Sequence, residues 1–296
     1  MYVKDYLKFW MKIKEKPEDF IVKEELDLKL GEGNYFYYLL EKKDWNTLNI
    51  IKEISKRLKI KEKDIGFAGN KDKKAITFQY ISILNGNPER VSRLKIEDAK
   101  LSFVGRGKDR ICLGDLKGNN FIIIVRDCSK IKNIKNIINY FGEQRFGLNN
   151  NWKIGKMLIL KKFKEACEEL SLEVDRNDYL GALKKLGLRK LRFYVSSYQS
   201  YLWNKLAEKS KEKKIPIVGY LYDGKLYDKI LEEEEVKVND FLIRSFKEIS
   251  TEGGERDRLI KVEKFKAKEL EKGIWEVSFF LQKGAYATEV IRQLNL

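Results

Sequence analysis

The sequence predicts an α+β protein in which a β-rich domain is interrupted by a mostly helical insertion. Segments with the alternation and the β-branched and aromatic content of strands fill the first 150 residues and return near residue 255. Between residues 151 and 253, apolar residues recur at helical spacing. A length of 296 residues accommodates about two domains. We therefore predict one domain formed by residues 1–150 and 254–296 and an insertion domain formed by residues 151–253.

The first elements are predicted to be two strands and a helix. Pro17 ends the preceding element, because proline cannot donate a ladder hydrogen bond. Strands at residues 20–26 and 35–42 are separated by a glycine-rich turn, which predicts a β-hairpin. An N-cap at Asn46 or Thr47 then begins a helix. Its apolar face is predicted to contain Leu48, Ile51, Ile54 and Leu58.

The next segment, GFAGNKDKKAITFQ at residues 66–79, combines a turn with one acidic residue among lysines. Gly66, Gly69 and Asn70 tolerate positive φ, so the backbone can turn sharply there. Lysines on both sides of Asp72 favour its ionised form, which suits a nucleophile or a base. The alternative interpretation is a surface turn ahead of a strand that starts at Ala75.

Strands are predicted to continue to about residue 130, and helical patterns follow farther along the chain. The loop at residues 114–120 precedes an apolar strand, where Phe121 could stack on a base or could simply begin a buried strand. Helices are predicted at residues 155–172, 176–186 and 188–210, and the acidic run 232–235 predicts a solvated face. A strand at 274–281 and a helix at 286–294 complete the chain.

The charge balance points to a polyanionic partner. The chain carries 61 Lys and Arg against 45 Asp and Glu, a formal net charge of +16 and a pI near 9.4. This excess indicates nucleic acid. A basic surface of the thermophilic kind is the alternative, although it explains a high charged fraction better than a net imbalance.

The residue types exclude several kinds of chemistry. The chain has no histidine, which removes histidine acid–base catalysis and the commonest zinc ligand sets. The cysteines at 112, 128 and 167 lack metal-type spacing and are predicted to be buried small hydrophobes in a reducing compartment. No apolar leader and no run of 18 apolar residues is present. We expect a soluble cytoplasmic protein with no metal and no membrane partner.

Several motifs in a fixed order resemble the TruD family of tRNA pseudouridine synthases. They are PEDFIV (17–22), GFAGNKDKKAITFQ (66–79), GNNF (118–121), NYFGEQRFG (139–147), SSYQSYLWN (196–204) and KGAYATEVIRQL (283–294). The resemblance implies a pseudouridine synthase fold, a mixed and mainly antiparallel sheet with flanking helices built from both ends of the chain. It also implies that the helical insertion is the TruD insertion domain.

The resemblance implies roles for six residues. Asp72, as the aspartate of the GxKD motif, would be the catalytic residue, and Lys14 its basic partner. The uridine pocket would be lined by Phe20, Asn119, Phe121 and Tyr286. Bacterial relatives often have Phe at the last position, and Tyr keeps the stacking face and adds a hydroxyl.

The activity implied is isomerisation of a uridine in tRNA, uridine 13 of the D arm, with no cofactor. The carboxylate would either attack C1′ or remove the 2′ proton, and the sequence leaves both routes open. The alternative function is a catalytically inactive RNA-binding protein on the same scaffold. A structural protein of the ribosome would explain the charge but not the ordered motifs. The absence of heptads and of a long exposed apolar stripe predicts a monomer.

Overall fold

The computed structural model describes residues 12–147 and 151–294. These residues form two compact units. We call residues 12–137 with 261–294 the sheet unit, and the described part of residues 138–260 the helical unit. The helical unit thus begins at Ile138 and ends at Ile260, while the sequence predicts an insertion from 151 to 253. The predicted boundary at residue 150 lies outside the described residues.

The sheet unit is built on an eight-stranded sheet, with strand order β11-β12-β6-β1-β4-β2-β5 and β3 paired with β4. Its strands are β1 (Phe20–Glu25), β2 (Tyr35–Lys43), β3 (Ile65–Phe67), β4 (Ile76–Leu84), β5 (Ala99–Gly107), β6 (Gly118–Val125), β11 (Glu263–Glu271) and β12 (Ile274–Gln282). Strands β1 and β4 run parallel, and the other pairs are antiparallel. The predicted α+β class with a mixed, mainly antiparallel sheet is confirmed.

The predicted hairpin between the first two strands is wrong. Strand β4 lies between β1 and β2, pairing with β1 through residues 76–78 and with β2 along its whole length. The turn at residues 31–34 instead packs against the end of β5, where the Gly31 N–H donates to the Arg106 carbonyl at 2.9 Å. Spacing along the chain cannot reveal that a later strand separates two neighbours.

Three helices accompany this sheet: α1 (Thr47–Leu58), α2 (Pro88–Ser92) and α9 (Ala287–Gln293). Helix α1 confirms the predicted N-cap, because the Asn46 side chain accepts a hydrogen bond from the Leu48 N–H at 2.9 Å. Its buried face contains Ile50 in place of the predicted Leu48, which is 55% exposed. That face packs on inward residues of β2 and β4, including Leu40.

The helical unit is organised around one long helix. Its elements include α3 (Glu143–Phe146), α4 (Asn151–Ile159), α5 (Phe163–Glu169), α6 (Tyr179–Lys184), α7 (Leu188–Lys209), α8 (Asp228–Glu233), β8 (Lys214–Ile217) and β9 (Gly254–Asp257). The predicted inward face of α7 is confirmed, since Leu191, Tyr194, Val195, Tyr198 and Leu202 are all buried. Gly155 lets α4 approach α7 closely, because a Cβ there would lie 2.1 Å from the Tyr194 carbonyl oxygen.

Two predictions for the helical region need correction. The helix expected over residues 155–172 is divided into α4 and α5, with Lys161 at a φ of 60° between them. The acidic run 232–235 is not wholly solvated, because Glu234 is buried. Its carboxylate accepts hydrogen bonds from Lys156, Lys205 and Tyr201.

The chain passes between the units through two short strands, β7 (Asn136–Ile138) and β10 (Leu259–Lys261). Within the sheet unit, the Val262 N–H donates to the Lys135 carbonyl at 2.8 Å. Within the helical unit, the Asn139 N–H donates to the Arg258 carbonyl at 2.8 Å. Residues after 261 then add β12 and β11 beside β6, so both ends of the described chain build the sheet.

The remaining sequence expectations concern cysteines, metals and membranes. Cys128 and Cys167 are buried as expected, whereas Cys112 is exposed. Within residues 12–147 and 151–294, no cluster of three or more Cys, Asp or Glu side chains is arranged to hold a metal ion. No helix in the same ranges has the length and apolar character needed to cross a membrane.

Candidate active site

One face of the sheet forms the floor of the site. A single cross-strand row places five side chains on this face: Phe279 of β12, Phe121 of β6, Val22 of β1, Thr77 of β4 and Lys42 of β2. Phe121 contacts the ring of Phe20 edge-on at 6.0 Å and the ring of Phe279 at 5.5 Å between centroids. The floor therefore combines a group of aromatic rings with a buried polar end.

The loop at residues 68–75, which we call the aspartate loop, is fixed by polar contacts to this floor. The Lys71 N–H donates to the Thr47 hydroxyl at 2.9 Å, and the Gln79 amide donates to the Gly69 carbonyl at 3.2 Å. The Lys71 ammonium also forms a fully buried ion pair with Glu24. These bonds leave the loop backbone little freedom near Asp72.

The glycines before the aspartate act differently from the sequence expectation. None of Gly66, Gly69 and Asn70 has positive φ. Gly66 lies in β3, where a Cβ would meet the Ile111 carbonyl oxygen at 2.3 Å. A close backbone approach, and not a left-handed turn, therefore requires glycine at this position.

Asp72 presents its carboxylate to Lys14. The Lys14 Nζ lies 2.8 Å from Asp72 Oδ2, and the two side chains are 22% and 34% exposed. The same ammonium lies 3.8 Å from the centroid of the Phe20 ring, within cation–π range. One lysine thus joins the carboxylate to the aromatic floor.

Lys14 has a strained backbone conformation, and it precedes a turn that an ion pair holds in place. Its φ is 57°, an uncommon conformation for a residue with a side chain. The following turn is held by Arg126, which binds Asp19 in a bidentate pair at 2.7 and 2.8 Å. Burial raises the pKa of Asp19, but the hydrogen bonds from Arg126 and the Lys16 N–H outweigh it and lower the pKa overall. This carboxylate is therefore ionised and structural.

Asn119 offers an unsatisfied polar group on the same face of β6. It pairs in register with Glu24 and lies two residues before Phe121. Its Oδ1 atom is buried and has no hydrogen-bond partner among the described residues, and the same holds for the Thr77 hydroxyl. Buried polar atoms are normally paired, so such an amide in a substrate pocket is suited to a ligand.

Tyr286 has its place set by the last helix of the sheet unit. It occupies the N-cap position of α9 and is half-buried. The Lys283 N–H donates to the Lys117 carbonyl at 3.0 Å, so the segment before Tyr286 runs beside the chain that enters β6. No ring contact or hydrogen bond within the described residues joins Tyr286 to the other five candidates.

Two charged residues near the aspartate, Glu24 and Lys42, were missed from the sequence, and so was the burial of Lys71, which was expected beside Asp72. Lys42 had a readable signal, because Tyr38, Leu40 and Lys42 occupy alternate positions of one strand and all three are buried. A lysine at an inward-facing position of a strand is unusual. Glu24 carries the same signal on β1, two residues after the inward-facing Val22.

These parts define a class of site: a partly exposed carboxylate paired with a lysine, beside aromatic rings and a buried amide that can bind the edge of a planar group. Comparison with known proteins identifies the family in which such a site occurs. The sequence model described as tRNA pseudouridine synthase D (TruD) matches residues 1–174 and 222–294. A protein named "Probable tRNA pseudouridine synthase D" from Pyrococcus abyssi is 32% identical, and the alignment covers 96% of each chain.

Two further comparisons agree. A protein named tRNA pseudouridine synthase D from Aquifex aeolicus is 29% identical, with 96% of this chain and 98% of the relative covered. A crystal structure titled "Putative tRNA pseudouridine synthase D (TruD)" from Methanosarcina mazei superposes on this chain with a TM-score of 0.80 at 25% identity. The match covers 96% of this chain and 93% of the other. The chain belongs to the TruD family of tRNA pseudouridine synthases, which are isomerases. The expected pseudouridine synthase fold is confirmed.

This chain is shorter than the Pyrococcus relative. The alignment with the Pyrococcus relative spans 391 positions, and 391 minus 296 leaves at least 95 positions with no residue in this chain. The family match is also interrupted at residues 175–221, which include the SSYQSYLWN motif at 196–204. All six candidate site residues lie in the matched ranges.

Proposed function

We propose that this protein converts uridine 13 in the D arm of tRNA to pseudouridine, with Asp72 as the catalytic carboxylate. The observation that carries the proposal is the position of Lys14, whose ammonium contacts both the Asp72 carboxylate and the Phe20 ring. A uridine seated on these rings would bring its ribose close to the Asp72 carboxylate. The family of the chain supports the reaction type.

The reaction is an exchange of bonds within one nucleotide. The N1–C1′ bond of uridine breaks, the C5–C1′ bond forms, C5 loses its proton and N1 gains one. Asp72 acts at the ribose, either as a nucleophile on C1′ or as the base that removes the 2′ proton. The detached uracil is held in the pocket while it rotates, which suits a pocket of aromatic faces.

The remaining candidate residues would line the substrate pocket. Phe20 and Phe121 supply stacking faces, and the unpaired Asn119 Oδ1 accepts a hydrogen bond from the uracil edge. Tyr286 completes the pocket when RNA is bound. We further propose that the protein acts as a cytoplasmic monomer without a cofactor. Its net charge of +16 supports tRNA as the partner.

The test is a pseudouridine assay on an unmodified tRNA transcript with the wild-type protein and Asp72→Asn. We expect modification at position 13 by the wild type and a rate at least about 10⁴-fold lower for the variant. Asp98→Asn is the matched control, because Asp98 is an exposed aspartate of the same unit in a conformation that asparagine tolerates.

Three outcomes would change the proposal. Product at another uridine would refute the position and keep the activity. Full activity of Asp72→Asn would refute the role of the carboxylate. Salt-sensitive tRNA binding without product from any of the three proteins would favour the catalytically inactive RNA-binding protein.

A further inference from the structure

A fully buried lysine lies directly beneath the aspartate loop. Lys42, the last inward-facing residue of β2, has no exposed surface. Its ammonium donates one hydrogen bond to the Trp45 carbonyl at 2.6 Å and one to the Asp72 backbone carbonyl at 3.2 Å. It therefore contacts the backbone of the proposed catalytic residue, whose carboxylate binds Lys14.

Lys42 differs from the buried lysine next to it. Lys71 forms a direct ion pair with the buried Glu24. Lys42 makes no ion pair among the residues that the structure describes, and its two acceptors are neutral carbonyls. Burying an ammonium without a carboxylate partner is unfavourable, and a hydrophobic residue of similar volume would pack there at lower cost. A stability role does not explain such a residue.

We propose that Lys42 is a positioning residue for Asp72, with its ammonium binding the Asp72 backbone carbonyl while Lys14 binds the carboxylate. The inference rests on the proposed catalytic role of Asp72. One lysine thus fixes the backbone of Asp72 and the other fixes its carboxylate.

The electrostatics at Lys42 support this arrangement. Burial lowers the pKa of Lys42 to about 8, and of its charged neighbours Asp72 raises it and Lys71 lowers it. The residues that pair with Lys42 on β4 and β5, Thr77 and Ala99, carry no charge. The ammonium is thus present at neutral pH and is lost as the pH rises through about 8. The rate should fall over the same range.

The experiment compares Lys42→Met with Lys43→Met in single-turnover pseudouridine formation on a tRNA transcript. Lys43 is the adjacent residue of β2, but it is partly exposed and pairs with Glu18 at 2.6 Å. For Lys42→Met we expect a rate constant at least about 100-fold lower, tRNA affinity within about threefold of wild type, and an unfolding temperature equal to or above that of wild type. Lys43→Met should match the wild type.

Two more readouts separate positioning from a structural role. Lys42→Gln, which keeps a donor without the charge, should lie between Lys42→Met and the wild type. The wild-type rate should fall above about pH 8, and the residual Lys42→Met rate should lack that decline.

Each outcome decides a different claim. A fully active Lys42→Met, beside an inactive Asp72→Asn, would overturn the positioning role alone. A rate loss that disappears at a lower temperature where the variant is folded would overturn it as well. An inactive wild type, or an active Asp72→Asn, would refute the proposed function and the positioning role with it.

Discussion

Each unit of this protein buries a glutamate that lysine binds, and only the network in the sheet unit lies next to the proposed catalytic carboxylate. In the helical unit, Glu234 accepts hydrogen bonds from two lysines and a tyrosine, and its charge is satisfied where it lies. Its donors are Lys156 at 2.9 Å, Lys205 at 2.9 Å and Tyr201 at 3.0 Å. In the sheet unit, Glu24 binds Lys71, whose neighbour Asp72 emerges from the network with its side chain 34% exposed.

The difference shows that a buried charge is not by itself a sign of a functional site. A satisfied network such as that of Glu234 fixes the packing of helices. The network below Asp72 has the same components but fixes a loop whose carboxylate still faces solvent. The chemically useful group is the one that the buried pairs orient, and the buried pairs themselves are not accessible to a substrate.

The largest contrast is expected when one lysine is removed from each network. Lys71→Met leaves Glu24 buried with a single hydrogen bond, from the Tyr80 N–H, so the free energy of unfolding should fall by about 3–5 kcal/mol. Lys156→Met leaves Glu234 with two other donors and should cost about 1–2 kcal/mol. Denaturant unfolding of both variants measures the difference. Equal losses would show that the two networks are equivalent.

The stabilisation that the Glu234 network contributes should be lost in acid. Burial raises the pKa of Glu234, but its lysine and tyrosine donors outweigh burial and lower the pKa overall. A lowered folded-state pKa means that the stabilisation is complete above the unfolded value near 4.5 and is lost as the pH falls through the folded value.

Glu234→Gln tests this dependence. We expect it to be about 1–3 kcal/mol less stable than wild type at pH 7, with the difference shrinking steadily as the pH falls below 4.5. Glu232→Gln, at an exposed position of the same run, is the control and should match wild type throughout. A difference for Glu234→Gln that does not change with pH would contradict the assignment.

The smallest effect is expected at the solvent end of the Asp72 network. Lys73 and Lys74 are exposed and form no ion pair within the described chain. If they bind phosphates beside the target nucleotide, replacing both with Gln should weaken tRNA binding and reduce the slope of log K against log salt by about 1–2.

Lys29 and Lys108 provide the comparison for this pair. They are exposed lysines near the start of β2, at the end of the strand away from Asp72. There the Lys29 carbonyl lies beside Gly107. Replacing both with Gln removes the same charge and should leave the salt slope closer to wild type. Equal changes in slope for the two double variants would show a general charge effect and not a contact beside Asp72.

Much of the sheet unit could be predicted from local pattern. The alternation in residues 274–281 predicted β12, and the N-cap Asn46 predicted α1. Strand order could not be predicted, because the parallel pairing of β1 with β4 depends on residues far apart in sequence. For the same reason the hairpin prediction failed.

The candidate site was predictable only where its residues belong to recognisable motifs. Asp72 and Phe121 belong to motifs that the family resemblance made recognisable. The contacts that position them involve backbone atoms, as when Lys42 binds the Asp72 carbonyl, and a one-dimensional pattern does not show which carbonyl a lysine reaches. The left-handed conformation of Lys14 was likewise invisible, because lysine rarely adopts it.

The pairing of β6 with β12 affects the order in which the nascent protein can mature. Residues 138–260 are continuous and can fold while the ribosome is still adding residues. The sheet must wait, since Phe121 meets its partner Phe279 only after residues 138–260 have been made, and such distant pairing forms slowly. A nascent chain therefore carries the aspartate long before it carries the strand that completes the aromatic floor. Copies that end before β12 should lack the proposed activity.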